Sequence, residues 1–426
     1  MDSRSVYKNR ILSAKKALNR DAKCSALIVS SAPARVRSRD VYYPHRQDSD
    51  FYYLTGSTIK NSLLFIAAAH PRPILFTPPI DDQRILWEGK QPNPRQIAKT
   101  IGAKVVLTNR IFKELKPYLT GMEQLYYQNY SESLSFAVAQ KLMSLPAQGK
   151  LTFPVHFSHA DTLLERLRLF KAPQEVQLIR KAADATNQAL FKTLPHIQVG
   201  KKEFELQAEL EYFIKLQNCQ IAFPTIVASG ASAATLHYEK LDRKLKKGDL
   251  LLIDFGAEYE MYASDITRTI PVDGVFTDLQ ADLYQCVLEA QQAALAKIKD
   301  GVTVRSVYNA AAKVITQGLV EVGVLRGKVS TLLKQAAYKP FFPHGIGHSL
   351  GLDVHDIGSL RDDKNAVLKQ GMVITVEPGL YFSKQTKRVP PCGIRIEDDV
   401  LVTKRGHRLL SKGFPKEVDE IERVLE

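Results

Sequence analysis

The chain has a single tryptophan, Trp87, and four cysteines in 426 residues. Cys24, Cys219, Cys286 and Cys392 are far apart and form no CxxC pair. That excludes a zinc ribbon and a disulfide framework and fits a reducing compartment, expected to be the cytoplasm. No apolar run approaches the ~18 residues that span a bilayer, so no membrane partner is expected. The apolar stretch 26–29 is too short for a signal-peptide core and reads as a strand. Acids are in deficit: 45 Asp and Glu stand against 59 Lys and Arg, a formal net charge of +14. The basic surplus is scattered, densest at residues 35–39 and 384–388, and no DNA- or RNA-binding motif accompanies it. It reads as solvated surface, with no nucleic-acid partner. The N-terminal part also lacks a P-loop and a GxGxxG fingerprint.

What is present divides near residue 170. Residues 1–168 alternate strands (26–30, 63–69, 74–76, 105–108) with helices (7–19, 131–145). This pattern predicts an α/β domain with helices packed on a mixed sheet. Trp87 reads as a packing residue or part of a subunit contact. An amphipathic helix over 160–170 ends at Lys171-Ala172-Pro173. Pro173 opens the next helix, with Glu175 in its first turn where the dipole favours an anion. Residues 169–426 read as helices (173–194, 203–218), strands (225–229, 250–256, 265–270), helices (279–299, 304–322) and strands (372–376, 394–397). The repetition predicts two α/β halves. The whole chain is therefore assigned to the α/β (α+β) class.

Residues 344–356 read HGIGHSLGLDVHD and hold three of the ten histidines, His344, His348 and His355. Histidine suits both metal ligation and proton transfer near neutral pH. The His344/His348 spacing is that of the zincin helix, but Gly345 replaces the required glutamate and the glycines disfavour a helix. Any further ligands must come from elsewhere. Asp254, Asp265, Glu377 and Glu397 each sit beside an apolar strand. An ionised carboxylate is too costly to bury unpaired. Each therefore faces solvent at a strand end, accepts hydrogen bonds, or holds a cation. Oxygen ligands with one imidazole suit Mn²⁺, Co²⁺ or Zn²⁺. Two divalent ions would balance four carboxylates, whereas one would leave the pocket strongly negative.

These residues, with their neighbours, resemble the pita-bread-fold metallopeptidases, and among them the aminopeptidase P (Xaa-Pro aminopeptidase) family. The match covers Ile253-Asp254-Phe255-Gly256, residues 264–269 around Asp265, the His348 loop, Glu377-Pro378-Gly379 and Ile396-Glu397-Asp398. Residues 46–56 are similar to that family's R-Q-x-S-D-F-x-Y-L-T-G segment, with Asp48 where Asn is usual. The resemblance implies a creatinase-like N-terminal domain over 1–168 that serves oligomerisation or site closure. It implies a pita-bread catalytic domain of two pseudo-symmetric halves over 169–426. The implied metal ligands are Asp254, Asp265, His348, Glu377 and Glu397, holding two ions, most often Mn²⁺. The implied catalytic residues are His237, His344, His355, Glu377 and Arg395. Substrate contacts are expected from His237, His344, His355 and Tyr381, the last as a wall of the proline pocket. The implied activity is hydrolysis of an N-terminal Xaa-Pro bond through a hydroxide bridging the two ions. Peptides with proline second are the expected partners, and the chain is expected as a homodimer or homotetramer. Prolidase, acting on Xaa-Pro dipeptides, is the nearest alternative. A pita-bread binding module that has lost its metal ligands is another, disfavoured because all five ligand positions are filled.

Overall fold

The computed structural model describes residues 3–21, 24–145, 153–358, 360, 363 and 365–426. The chain forms two compact units, Met1–Arg168 and Leu169–Glu426.

The first unit is built on a six-stranded sheet. Its order is Lys104–Leu107, Ile74–Thr77, Leu63–Ala67, Ser25–Ser30, Gln124–Tyr127, His156–His159. Ser25–Ser30 and Leu63–Ala67 are buried along their whole length. Covered on both faces, they show unbroken apolar runs rather than alternation. The outer strand His156–His159 is short and polar, so it gave no strand signal in the sequence. The helix expected over 131–145 is Leu134–Met143, started by the Ser133 side chain accepting from Phe136 N. The 46–56 segment is the helix Ser49–Thr55 with its caps. Asp48 accepts from Phe51 N and also from the Tyr130 hydroxyl at 2.8 Å. Gln47 Oε1 accepts from Ala32 N, while its amide nitrogen donates to the Ser57 and Ile59 carbonyls. Arg168 donates to Asp50 at 2.6 Å, a buried ion pair inside this unit.

The second unit repeats one arrangement. Helices Pro173–Thr193 and Glu203–Leu216 precede a sheet of Ile226–Ser229, Leu250–Phe255 and Ile266–Pro271. Helices Asp278–Leu295 and Val304–Glu321 precede a sheet of Val373–Val376, Asp398–Val402 and His407–Leu409, and a two-stranded ladder of Gly379–Phe382 with Cys392–Arg395. One apolar core runs between the helices and both sets of strands, from Leu190, Leu206 and Phe255 to Val287, Ile315, Val376 and Ile394. The strands are therefore fixed on their helical side, and polar residues on the other side are held in register.

Candidate metal centre

Strands Leu250–Phe255 and Ile266–Pro271 run antiparallel with Asp254 opposite Thr267. Side chains alternate along a strand, so Asp254, Thr267 and Asp265 project from one face. The other half supplies a second pair. Val376 lies opposite Asp398 and Gly379 opposite Arg395, in one continuous register. The register sets Glu377 across from Glu397 where the two ladders meet. The halves are stitched at this point. Glu397 N donates to the Thr267 carbonyl at 3.1 Å, and the Thr267 hydroxyl donates to Glu397 Oε2 at 2.6 Å.

The histidine loop lies along the same edge. Leu350 N donates to Val373 O, Thr375 N to His348 O and Glu377 N to Ile346 O. Gly347 permits this contact, because a Cβ there would stand 2.0 Å from the Thr375 carbonyl oxygen. His348 Nδ1 is 3.1 Å from the Ser349 carbonyl, so it carries the proton and leaves Nε2 as a free lone pair. Nε2 faces the acids, 3.4 Å from Asp265 Oδ2 and 3.7 Å from Glu377 Oε1. Asp265, His348 and Glu397 each offer a ligand atom within 4.8 Å of the others.

This cluster is electrostatically unbalanced by protein alone. Burial, followed by the charges of Glu397, Asp254, Asp399 and Glu377, pushes the Asp265 carboxyl well above the carboxylate range. Burial, with Glu377 and Asp254 next, does the same to Glu397, against the opposing pull of Arg395 and Thr267. The guanidinium of Arg395 lies 2.5 Å from Asp254 Oδ2. Burial opposes its charge, but Tyr381, Asp254 and Glu397 hold it protonated. Asp254 Oδ1 and Asp265 Oδ1 are buried without a hydrogen-bond partner. Orphaned carboxylate oxygens beside a lone-pair imidazole form a donor set for divalent cations. The residues present therefore fit divalent metal ions.

The cluster opens into a cavity of about 1250 Å³ lined by His237, Asp254, Asp265, His344, His348, His355, Glu377, Arg395 and Glu397 among others. Every expected site residue thus meets at one cavity except Tyr381. Tyr381 is 4% exposed and does not line it. Its hydroxyl accepts from Arg395 Nη1 at 2.9 Å and lies 3.0 Å from His344 Nε2. Having accepted from arginine, the phenol donates to Nε2. His344 Nδ1 then donates to the Gly345 carbonyl at 2.8 Å. Burial lowers the pKa of His344, consistent with this neutral tautomer. The expected proline-pocket wall is therefore not formed by Tyr381, whose side chain packs among Ile226, Ala228, Ala233 and Leu252.

Sequence reasoning missed three supports. Glu203, wholly buried, accepts from Ser229 N and from the Tyr238 hydroxyl at 2.8 Å, beside His237. Arg268 is 1% exposed and donates to the Glu397 carbonyl and to Asp398. Asp399 accepts from the Ser264 hydroxyl and the Asp265 N–H. Arg268 and Asp399 could have been signalled only as charges inside apolar strands, and Glu203 only as an acid in the first turn of its helix.

Residues 177–404 match Metallopeptidase family M24, and residues 7–126 match the aminopeptidase P N-terminal domain. The chain is 34% identical over 414 residues to the Xaa-Pro aminopeptidase of Escherichia coli (strain K12), covering 94% of this chain and 93% of that protein. It is 33% identical to human Xaa-Pro aminopeptidase 3, covering 93% of this chain and 80% of that one. Aminopeptidase P from E. coli, solved with the inhibitor Pro-Leu, superposes with a TM-score of 0.92 at 32% identity, covering 99% of this chain and 98% of that chain. The shared fold, the acid–histidine cluster and this coverage agree: the chain belongs to metallopeptidase family M24, in its two-domain aminopeptidase P branch.

Proposed function

We infer that this chain is a metal-dependent aminopeptidase that hydrolyses the N-terminal Xaa-Pro bond of peptides. The observation that carries the reading is the buried acid–histidine cluster on the floor of the 1250 Å³ cavity. Asp254, Asp265, His348, Glu377 and Glu397 would hold two divalent ions, with Mn²⁺ preferred over Co²⁺ or Zn²⁺. Bound ions there supply Lewis acidity and lower the pKa of a bound water.

The chain's own residues do the rest. Glu377, its side chain 19% exposed, faces the cavity and is placed to accept a proton from the attacking water. Arg395 holds Asp254 and, through Tyr381, the ring of His344. Donation to the developing oxyanion is assigned to His355, which is exposed in the cavity and whose ring lies against that of His348. His237 lines the same cavity and contacts the peptide. Proline at the second position has no N–H, so its recognition needs shape and apolar contact. Phe223, Leu236, Ile346 and Val354 line the cavity and supply such surface. The similarity over nearly the whole chain to proteins named Xaa-Pro aminopeptidase favours aminopeptidase over dipeptidase action. A cytoplasmic location and an assembly of two or four copies complete the reading.

The test is hydrolysis of Xaa-Pro dipeptides and of longer Xaa-Pro peptides, with Mn²⁺ and after chelation. The expected result is preferential cleavage of the longer peptide, abolished by chelator and restored by metal. Activity that survives complete metal removal refutes the reading, and exclusive dipeptide cleavage replaces it with prolidase.

A further inference from the structure

His355 is exposed in the cavity, yet its position is set by buried partners. The next residue, Asp356, turns inward and is 7% exposed. Its carboxylate accepts from Lys171 Nζ at 2.9 Å, and the two side chains are 2% and 1% exposed. Lys171 lies 185 positions away, in the short connection before the helix Pro173–Thr193. That connection is itself pinned. Lys171 N donates to the Gly371 carbonyl, and the Ala172 N–H donates to Glu175. Asp356 N donates to the Ser349 carbonyl at 2.9 Å, closing the loop that begins one residue after His348. Gly351 leaves room for the pair, since a Cβ there would stand 2.1 Å from Asp356 Oδ2 and 3.0 Å from Lys171 Cε. The outcome is visible at the rings: those of His355 and His348 are 4.3 Å apart at 74°.

We propose that Lys171 is a positioning residue for catalysis: its buried ion pair with Asp356 fixes the backbone that presents His355 to the substrate. A buried ion pair contributes little stability compared with apolar residues of the same shape, but it fixes geometry well. Stability alone therefore gives a weak account of two desolvated charges at this point, immediately after a cavity histidine. The proposal rests on the reading of His355 as a residue that acts on the substrate.

The experiment compares three proteins with the parent: H355A, K171M/D356N, and the triple combination. K171M alone strands a buried carboxylate and confounds geometry with folding, so both charges are removed together. Turnover of a longer Xaa-Pro peptide, KM, bound metal and thermal unfolding are measured for each. A misplacement on the order of 1 Å can cost 10²-fold in rate. The charge-free pair is expected to keep its metal and lose kcat by roughly 10- to 100-fold, with little change in KM. On the H355A background the same pair should cost nothing further, because it acts through that ring. A general structural role would slow both backgrounds equally. A charge-free pair that retains full kcat, that slows H355A as much as the parent, or that fails to fold overturns the assignment of Lys171. Full turnover in H355A would instead overturn the role of His355, which separates the two failures.

Discussion

Removal of the metal ions should make the stability of this protein fall as pH rises. Asp265 and Glu397 titrate well above their ordinary range when they face other acids without cations. In an unfolded chain these groups ionise near about 3.9 and 4.3. Between those values and the raised folded ones, the folded chain binds more protons than the unfolded chain. Stability present at low pH is then lost as pH increases toward the folded pKa. Each uncompensated proton is worth about 1.4 kcal/mol per pH unit. Two such protons between pH 5.5 and 7.5 set an upper bound of about 5.6 kcal/mol, a large part of a typical folding free energy.

Metal-loaded protein keeps both carboxylates ionised when folded, so this proton linkage disappears. Groups remote from the cluster titrate alike in both forms and cancel in the comparison. The assay is denaturant unfolding at pH 5.5, 6.5 and 7.5, with saturating Mn²⁺ and with chelator. The gap between the two curves should widen with pH, by up to about 2.8 kcal/mol per unit. Calorimetric titration of metal in buffers of different ionisation enthalpy should show net proton release on binding. A constant gap, or loading without proton release, would refute the placement of these two acids in one buried cluster.

Two substitutions test the supports of the centre. Arg395→Met leaves Asp254 buried without its guanidinium contact and removes the donor to Tyr381. A loss of roughly 3–5 kcal/mol is expected by thermal unfolding, with a steep fall in kcat at unchanged metal concentration. Unaltered stability would show that Asp254 does not depend on the pair. Gly347→Ala places a Cβ 2.0 Å from the Thr375 oxygen and must push the histidine loop off its strand. Metal analysis should show less than the parent stoichiometry after dialysis, and full occupancy would contradict the close approach.

The strand-borne acids were legible because they break apolar runs: Asp254 ends Leu-Leu-Leu-Ile, and Glu377 ends Val-Ile-Thr-Val. The helices of the second unit were legible through their period and start signals, Thr303 before Val304–Glu321 being one. Convergence of the five proposed ligand positions was implied by the family resemblance but could not be derived from the residues themselves. It depends on the register of two separate ladders and on Gly347, where the governing contact is with residue 375. The same limit explains Tyr381. Its place after the Glu377-Pro378-Gly379 turn suggested a pocket wall, but strand alternation and the partner Cys392–Arg395 turn its hydroxyl toward Arg395. The first-unit strand Gln124–Tyr127 was not read from the sequence.

Asp398 and Asp399 show why residue type alone could not reveal the layer behind the centre. They are consecutive in one strand and both fully enclosed, so alternation turns them to opposite faces. Burial raises both. On one face Arg268 and Lys416 overcome it and hold the Asp398 carboxyl at about 2. On the other, the Ser264 hydroxyl and the Asp265 N–H are not enough, and Asp399 is pushed up to about 8. One acid therefore serves as an anion locked to cations, tying Arg268 and with it the Glu397 carbonyl. Its neighbour backs Asp265 through hydrogen bonds. Two of the proposed ligands, from different halves of the fold, thus take their positions from adjacent residues of a single strand. The spacing between those ligands is then set by the rigid pleat of the strand, and flexible side chains are left to adjust only the final contact with a cation.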